Sequence, residues 1–297
     1  MKFLKLIFTI SALSLSLIGC KSKLHEKSQD SISIIQSETT NKKRVVSLSS
    51  ISADLVNKIS PEELVAIPGS SLFKNKKEFS NLPVISMGRT PPSLEKIVSL
   101  KPDLVIGAKG FHGKILKKLN DINIKTISYN LRNWSDLEGL IFSISRELNL
   151  SDQKVVKNLI DNNLNYCSVI KSNKNPDLIV LASTKPILSP NSDSWAGELL
   201  NRFYLNSLTK DIDSKSEFKG YINLSPEWLL KQDPDNLILI ETRTGQFKEF
   251  GINKPFSNLT AVKNNKVYRF NYYGLINPGS LNSINNACKE LKNILVI

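Results

Sequence analysis

A single histidine, a few tyrosines and scattered cations are the residues with which this 297-residue chain could do chemistry. His112 follows Phe111 in the stretch AKGFHG, and the other histidine, His25, lies near the amino terminus. One histidine cannot build a closed zinc site, which usually needs four ligands. It could supply one axial ligand to a haem iron, although a surface histidine beside a glycine is the commoner outcome.

Two adjacent tyrosines, Tyr272 and Tyr273, offer a second kind of iron chemistry, because adjacent tyrosines can bind ferric iron directly. Successive residues of a strand face opposite sides, so joint ligation would need an irregular loop. Aromatic rings also offer apolar faces to a macrocycle or a catechol, and Arg and Lys can bind carboxylates. The chain has no GxSxG, no GxxxxGK[ST] and no GxGxxG after its first predicted strand. A hydrolase elbow, an ATPase and a dinucleotide site therefore have no support.

One stretch of the sequence occurs in two similar copies. SLEKIVSLKPDLVIG begins at Ser93 and SPEWLLKQDPDNLILI begins at Ser225, and Glu95 matches Glu227 at an offset of 132 (227 − 95). Each serine stands where a helix N-cap is wanted, each glutamate suits the first turn, and a proline ends each helix before a strand. Either glutamate alone could serve only the helix dipole. The recurrence instead predicts two equivalent negative points, which fit a partner with twofold symmetry.

Strands and helices alternate from residue 44 onward, and the strands are continuously apolar. This pattern predicts an α/β fold of two Rossmann-like lobes, each a mostly parallel sheet with flanking helices. Apolar residues at helical spacing predict one long connecting helix over 151–171. We place the amino-terminal lobe at 44–150 and the carboxyl-terminal lobe at 172–297. A single helical crossing predicts a stiff connection with small changes in lobe angle.

The amino terminus has the features of an export signal. Lys2 and Lys5 precede an apolar run that ends in LIGC, and this run is too short for a stable membrane span. We expect a signal peptide over 1–19. LIGC resembles the lipobox of bacterial lipoproteins, so we expect lipidation of Cys20. A flexible tether should follow through residue 43. An ordinary signal or an anchor helix is the alternative. An exported compartment permits a disulfide between Cys167 and Cys288, but the two fall in separate helical patterns, so we expect both thiols to be free and buried.

Four segments resemble one protein family over residues 44–297. RVVSLSSISADLV resembles its opening strand and turn, PPSLEKIVSLKPDLVIG its main signature, LSPEWLLKQDPDNLILI the copy in the second lobe, and LTAVKNNKVYRFN its late segment. The family is that of substrate-binding lipoproteins of ABC importers for ferric siderophores, haem and cobalamin. The resemblance implies two lobes bridged by one long helix, with ligand in the cleft between them. It also implies that Glu95 and Glu227 form salt bridges with arginines on two permease subunits.

Ligands of open α/β sheets bind beyond the carboxyl ends of the strands, and aromatic and cationic residues stand at the predicted ends. Each has a structural alternative, such as helix capping by the serines or packing of Trp195 against its own helix. The predicted ligand-binding residues are Ser49, Ser50, Arg89, Phe111, His112, Trp195, Phe218, Tyr221, Tyr272 and Tyr273.

The leading hypothesis is an exported, membrane-anchored protein that captures an iron chelate in the periplasm or at the outer cell surface. It would be a monomer without catalytic activity, cofactor or metal site of its own, and it would deliver the chelate to a permease homodimer and its ATPase. Haem or cobalamin are alternatives in the same class, and a shortage of tryptophan disfavours cobalamin. A tetrapyrrole metal chelatase and a surface adhesin are alternatives in other classes. The net charge of +13 is spread over a lysine-rich surface, so it predicts no nucleic-acid module.

Overall fold

Two separate parallel sheets, one in each half of the chain, form the frame of the protein. The computed structural model describes residues 42–87, 90–150, 153–168, 175–213, 219–241 and 255–296. We call 42–150 the N-terminal half and 175–296 the C-terminal half. The predicted signal peptide, Cys20 and nearly all of the tether lie outside the described residues.

The N-terminal half contains a five-stranded parallel sheet in the order β3-β2-β1-β4-β5. Its central strands are apolar on both faces because helices cover both sides. The strands are β1 (Val45–Ser47), β2 (Leu64–Gly69), β3 (Val84–Met87), β4 (Leu104–Ala108) and β5 (Lys125–Tyr129). The helices are α1 (Ser50–Ile59), α2 (Leu94–Ser99), α3 (Lys109–Asp121) and α4 (Trp134–Glu147).

The C-terminal half contains a parallel sheet in the order β12-β11-β6-β9 and a small antiparallel sheet, β10-β8-β7. After α5 (Gln153–Asn163) come β6 (Asp177–Leu181), β7 (Ser183–Thr184), β8 (Ile187–Pro190), α6 (Trp195–Arg202), β9 (Asn206–Ser207) and β10 (Tyr221–Leu224). The chain continues with α7 (Pro226–Gln232), β11 (Asn236–Glu241), α8 (Thr260–Lys263), β12 (Val267–Asn271), α9 (Tyr272–Leu275) and α10 (Leu281–Val296). The predicted α/β fold class is confirmed.

The repeated stretch folds the same way in both halves. The Ser93 hydroxyl accepts the N–H of the third helical residue of α2 at 3.2 Å, and the Ser225 hydroxyl caps α7 in the same manner at 3.1 Å. Lys101 and Asp233, again 132 residues apart (233 − 101), both take the left-handed conformation, with φ of 47° and 41°. A proline follows each of them and prevents the helix from continuing. The duplicated unit is therefore a capped helix, a left-handed stop and a buried strand.

The connecting helix is shorter than the predicted range 151–171. It covers Gln153–Asn163, and a 3₁₀ turn follows at Asn165–Cys167. The Asn163 side-chain amide donates to the Leu159 carbonyl at 2.8 Å, which helps to close the last turn. Residues 151–152 and 169–174 lie outside the described part of the chain.

The expectation of two free cysteines is wrong. Cys167 and Cys288 form a disulfide that joins the segment after α5 to α10 across 121 residues. Hydrogen bonds reinforce the same junction: the Tyr166 N–H donates to Asn285 Oδ1 at 2.9 Å, the Asn285 amide donates to Asn165 Oδ1 at 2.8 Å, and Arg202 Nε donates to the Cys167 carbonyl at 2.9 Å. The segment 165–167, which we call the crossover segment, is thus joined to the C-terminal half by a disulfide and several polar contacts.

A shared apolar core joins the two halves, with buried members from α1 and α4 on one side and from β6, α6 and α10 on the other. Between the two halves, the buried Asp54 carboxylate of α1 accepts the N–H of Leu281, the first residue of α10, at 2.9 Å. Burial raises the pKa of Asp54, and the hydrogen bond from Leu281 opposes this effect only in part. The Trp134 and Trp195 rings stack nearby, with centroids 6.3 Å apart. These contacts join the two halves, and the stiffness of the connection stays a prediction.

The domain boundaries at 150 and 172 remain a prediction, since the shared core places 41–297 in one compact unit. Among the residues that the structure describes, no helix has the length and apolar character needed to cross a membrane.

Removal of the disulfide should destabilise the protein. In the Cys167→Ala/Cys288→Ala variant we expect the free energy of unfolding to fall by about 2–4 kcal/mol, because the unfolded chain regains the freedom of a long loop. Guanidinium denaturation followed by circular dichroism measures the change. Wild-type protein unfolded with excess dithiothreitol is the control and should lose a similar amount. Equal stability of the oxidised wild type and the variant would contradict a closed disulfide.

Candidate functional site

The carboxyl edge of the N-terminal sheet holds a small hydroxyl cluster. Ser49 follows β1 and caps α1, and its hydroxyl lies 2.7 Å from the Ser52 hydroxyl and 2.5 Å from the Tyr129 hydroxyl. Ser50 begins α1 and is half-buried. Burial raises the pKa of Tyr129 to about 12, so its phenol stays protonated at neutral pH. Sequence reasoning missed Tyr129, although its position as the last residue of a predicted strand was a usable signal.

His112 lies in the first turn of α3, and its ring orientation determines its chemistry. Its Nδ1 accepts the N–H of Ala108 at 3.0 Å, and burial lowers the pKa of the imidazole. The ring is therefore neutral at pH 7 with its proton on Nε2. A protonated Nε2 donates a hydrogen bond and has no lone pair for iron. In the described ranges, no group of three or more His, Cys, Asp and Glu side chains could hold a metal ion.

Two large apolar side chains stand uncovered near the same edge. Phe111 in α3 is 86% exposed, and Met87 at the end of β3 is 70% exposed. An isolated exposed apolar residue needs no explanation, but two at the same carboxyl edge favour contact with a ligand or partner, even though β3 and β4 are separated by β2 and β1.

Three tyrosines stand at the C-terminal sheets. Tyr272 and Tyr273 follow β12, with ring centroids 5.4 Å apart at 72° to each other, and Tyr221 begins β10. Burial raises the pKa of Tyr221 above the ordinary phenol value, and the nearby Tyr272 adds to the effect. Burial likewise raises the pKa of Tyr272. Protonated phenols donate hydrogen bonds, whereas direct ferric ligation would require their ionised form.

The segment 271–279, which we call the tyrosine turn, is fixed by hydrogen bonds and by close packing against α10. The Trp195 indole N–H donates to the Gly274 carbonyl at 2.8 Å, and the Asn271 side chain accepts the N–H of Tyr273 at 2.9 Å. Gly274 has φ of +102°, and a Cβ there would lie 2.1 Å from the Ser283 carbonyl of α10. Only glycine permits this approach.

The predicted ligand contact of Trp195 is wrong in this structure. The side chain is 3% exposed because it packs between the Trp134 ring and the tyrosine turn. The position of Trp195 at the start of a helix is compatible with ligand contact and with packing in the core. Its hydrogen bond to the Gly274 carbonyl, which is distant in the sequence, favours packing. Trp195 therefore contributes to the site indirectly, by fixing the tyrosine turn.

The two carboxyl edges approach each other beside Gly279, which has φ of +67°. A Cβ at this position would lie 2.6 Å from Tyr273 Cδ1 and 2.9 Å from Leu72 Cδ1 of the N-terminal half. The tyrosine turn thus meets the loop that follows β2. Two predicted site residues, Arg89 and Phe218, lie outside the described residues.

The two glutamates for which a docking role is predicted are both exposed in the first turns of their helices, Glu95 in α2 and Glu227 in α7. The pKa of Glu227 is lowered by hydrogen bonds from its own backbone N–H and from the Ser225 hydroxyl, so Glu227 is ionised at neutral pH. Their contact with a permease stays a prediction.

Residues 45–272 match the family described as periplasmic binding protein, and the chain belongs to this family. This is a family of binding proteins, and the fold described above is the one on which such proteins are built.

Two relatives come from Bacillus subtilis. The Fe(3+)-citrate-binding protein YfmC is 30% identical over 210 residues, which cover 65% of this chain and 64% of that protein. YhfQ, named as an ABC transporter substrate-binding lipoprotein, is 28% identical over 193 residues, which cover 61% of this chain and 59% of that protein. The chain therefore matches less than two thirds of the length of either relative.

A solved structure shares the fold across most of the chain. It is described as a possible iron-binding, periplasmic solute-binding protein of Staphylococcus epidermidis. It superimposes with a TM-score of 0.68 at 20% identity and covers 86% of this chain and 100% of its own.

Loss of the Trp195 indole N–H should weaken the support of the tyrosine turn. We expect Trp195→Phe to lower the free energy of unfolding by about 1–3 kcal/mol, because the Gly274 carbonyl loses its buried donor. Trp228→Phe removes the same atoms from a half-buried ring in α7 and should cost less. Denaturant titrations of both variants measure the difference, and equal losses would contradict the supporting role of Trp195.

Proposed function

We propose that the chain is an extracytoplasmic solute-binding protein that captures a ferric chelate and hands it to an ABC permease. One observation carries the proposal: the carboxyl edges of two separate parallel sheets meet at Gly279, and both edges present hydroxyl and aromatic side chains. Membership of the periplasmic binding protein family and the ferric-citrate specificity in the name of YfmC support it.

The chemistry of the site favours recognition of a complete chelate over direct coordination of iron. Tyr129 and Tyr272 carry protonated phenols, and His112 offers an Nε2–H donor. Such donors suit the oxygen atoms of an iron carboxylate or siderophore, while Phe111 can cover its carbon skeleton. Iron then arrives already wrapped by the chelator, so the protein needs no metal ligands of its own.

Haem and cobalamin remain alternatives of the same class, but two observations disfavour them. Trp195 and Trp134 are buried between the halves, so neither offers its face to a flat macrocycle. His112 Nδ1 accepts the N–H of Ala108, and axial ligation through Nε2 would require the ring proton to move to Nδ1, which would break this hydrogen bond. We infer no catalytic role. A tetrapyrrole chelatase would need a histidine paired with an acidic base, and His112 has no such partner among the described residues.

The partners follow from the two halves of the repeat. Glu95 and Glu227 would each meet one subunit of a permease homodimer, whose ATPase supplies the energy for transport. Lipidation at Cys20 would hold this monomer at a membrane, and the lipoprotein name of YhfQ supports the anchor. No nucleic acid takes part.

Ligand binding can be tested on the full chain in detergent. Ferric citrate should quench the intrinsic tryptophan fluorescence, and Tyr272→Ala should weaken its binding at least tenfold through the loss of a ring and a donor. Tyr166→Ala is a matched control, since Tyr166 is 39% exposed and Tyr272 is 38% exposed. Haemin and cyanocobalamin complete the panel. Saturable binding of haemin or cobalamin without ferric citrate would favour the alternatives, and no binding at all would overturn the proposal.

Docking can be tested by charge reversal. The Glu95→Lys/Glu227→Lys variant should retain its affinity for ferric citrate and lose at least tenfold in uptake of labelled iron by cells, because two ion pairs become repulsive. Glu62→Lys is the control, since Glu62 is also exposed and has a pKa lowered by its own N–H and a nearby serine. It precedes β2 at the opposite end of the sheet. Undiminished uptake by the double variant would refute the docking role.

A further inference from the structure

A cavity of about 490 Å³ lies between α6 and β9 in the C-terminal half. None of the residues that line it belongs to the candidate site. Asn206 and Ser207 of β9 pair with the amino end of β6, whereas the tyrosine turn follows the carboxyl end of β12. The cavity and the candidate site are therefore separate, and its volume falls in the range of small-molecule sites.

The cavity wall carries amide side chains in fixed orientations. The buried Asn191 accepts the N–H of Asp193 at 3.1 Å and donates to the Ile212 carbonyl at 2.8 Å. Asn206 donates to Asp177 Oδ1 at 2.5 Å. Each of these amides has further donor or acceptor capacity. They form a polar surface that is already ordered before any ligand arrives, which lowers the entropic cost of binding.

The charges at the cavity do not suit an anionic ligand. Glu198 and Asp211 contribute two carboxylates, and Lys210 contributes one ammonium, whose Nζ already donates to Asn206 Oδ1 at 3.0 Å. The rest of the chain is strongly basic, so this cavity differs from the surface around it. Asn201, exposed on α6, adds an amide that makes no hydrogen bond to any described residue. A neutral ligand rich in hydroxyl groups matches this set.

Tyr204 lies beside these amides, and its backbone has a left-handed conformation that is unfavourable for tyrosine. It is 47% exposed and has φ of +54° directly after α6. Its N–H donates to the Asn201 carbonyl at 3.0 Å, and the Leu205 N–H donates to the Leu200 carbonyl at 3.0 Å, a pattern of helix ends that normally select glycine. Among the described residues, asparagine fills four of the other six left-handed positions that are not glycine, Asn75, Asn123, Asn149 and Asn265, and Lys101 and Asp233 fill the remaining two.

We infer that this cavity binds a neutral pyranose oligosaccharide, with the Tyr204 ring against a sugar face and the asparagine amides on its hydroxyl groups. The rigid aromatic ring of Tyr204 is exposed at the wall of the cavity. Asparagine could adopt the left-handed backbone conformation there with less strain, so the choice of tyrosine favours a role for its ring. The source of the sugar is either a soluble oligosaccharide or a glycan strand of a cell wall, and both present the same chemistry.

Calorimetric titration of the full chain in detergent with triacetylchitotriose and with maltotriose tests this inference. We expect one of them to bind with a dissociation constant below about 1 mM, a value typical of weak but specific contacts. Tyr204→Gly should weaken that binding at least tenfold. The same variant should raise the melting temperature by about 2–4 °C, because glycine relieves the left-handed strain. A tyrosine needed only for packing would instead lower it.

Lys101→Gly is the matched control, because Lys101 also takes the left-handed conformation at the end of a helix but lies in the N-terminal half. It should raise the melting temperature and leave sugar affinity unchanged. Sedimentation with purified cell-wall sacculi shows whether the wall glycan is bound, again with Tyr204→Gly as the reference. Absence of binding to both trisaccharides at about 10 mM, or equal binding by Tyr204→Gly, overturns the inference. Ferric citrate affinity of Tyr204→Gly should equal that of the wild type, which separates this test from the proposed function.

Discussion

The hydrogen bond from the Leu281 amide to the Asp54 carboxylate ties the first helix of the N-terminal half to the last helix of the C-terminal half. Both groups are buried, so rotation of one half against the other would leave a carboxylate and an amide without partners in an apolar core. The Trp134–Trp195 stack lies in the same core, and Arg202 covers the Trp134 ring with its Cζ 4.0 Å from the ring centroid. We therefore expect the two sheets to move as one body.

The same junction positions the candidate site. Helix α10 receives the Asp54 contact at its first residue, and its Ser283 carbonyl sits against Gly274 in the tyrosine turn. Trp195 stacks in the shared core and donates to the same glycine. A ligand between the carboxyl edges would meet side chains whose backbone is already held, so binding energy need not be spent on ordering them. The disulfide of Cys288 fastens this helix to the crossover segment as well.

Local patterns allowed the fold class and the repeated unit to be predicted from sequence. Ser93 and Ser225 cap their helices as expected, because capping, proline stops and apolar strands depend on neighbouring residues. The pairing of Cys167 with Cys288, the burial of Trp195 and the role of Tyr129 depend on contacts across tens to hundreds of residues. No local signal encodes the first two of these contacts, and the position of Tyr129 at the end of a predicted strand indicates only the edge of the sheet at which it lies. The long connecting helix was overestimated because its apolar spacing continues past Asn163 into a 3₁₀ turn.

The distance between the halves, measured with and without ligand, tests the rigid junction most directly. Spin labels at Lys118 of α3 and Lys263 of α8, introduced through cysteine substitutions, report this distance by pulsed electron resonance. Gallium citrate, which is diamagnetic, replaces ferric citrate so that the ligand does not disturb the labels. We predict that the mean distance shifts by less than about 2 Å when gallium citrate is added. A shift well beyond that value, or a broad distribution without ligand that narrows on binding, would contradict a body held together by Asp54 and the tryptophan stack.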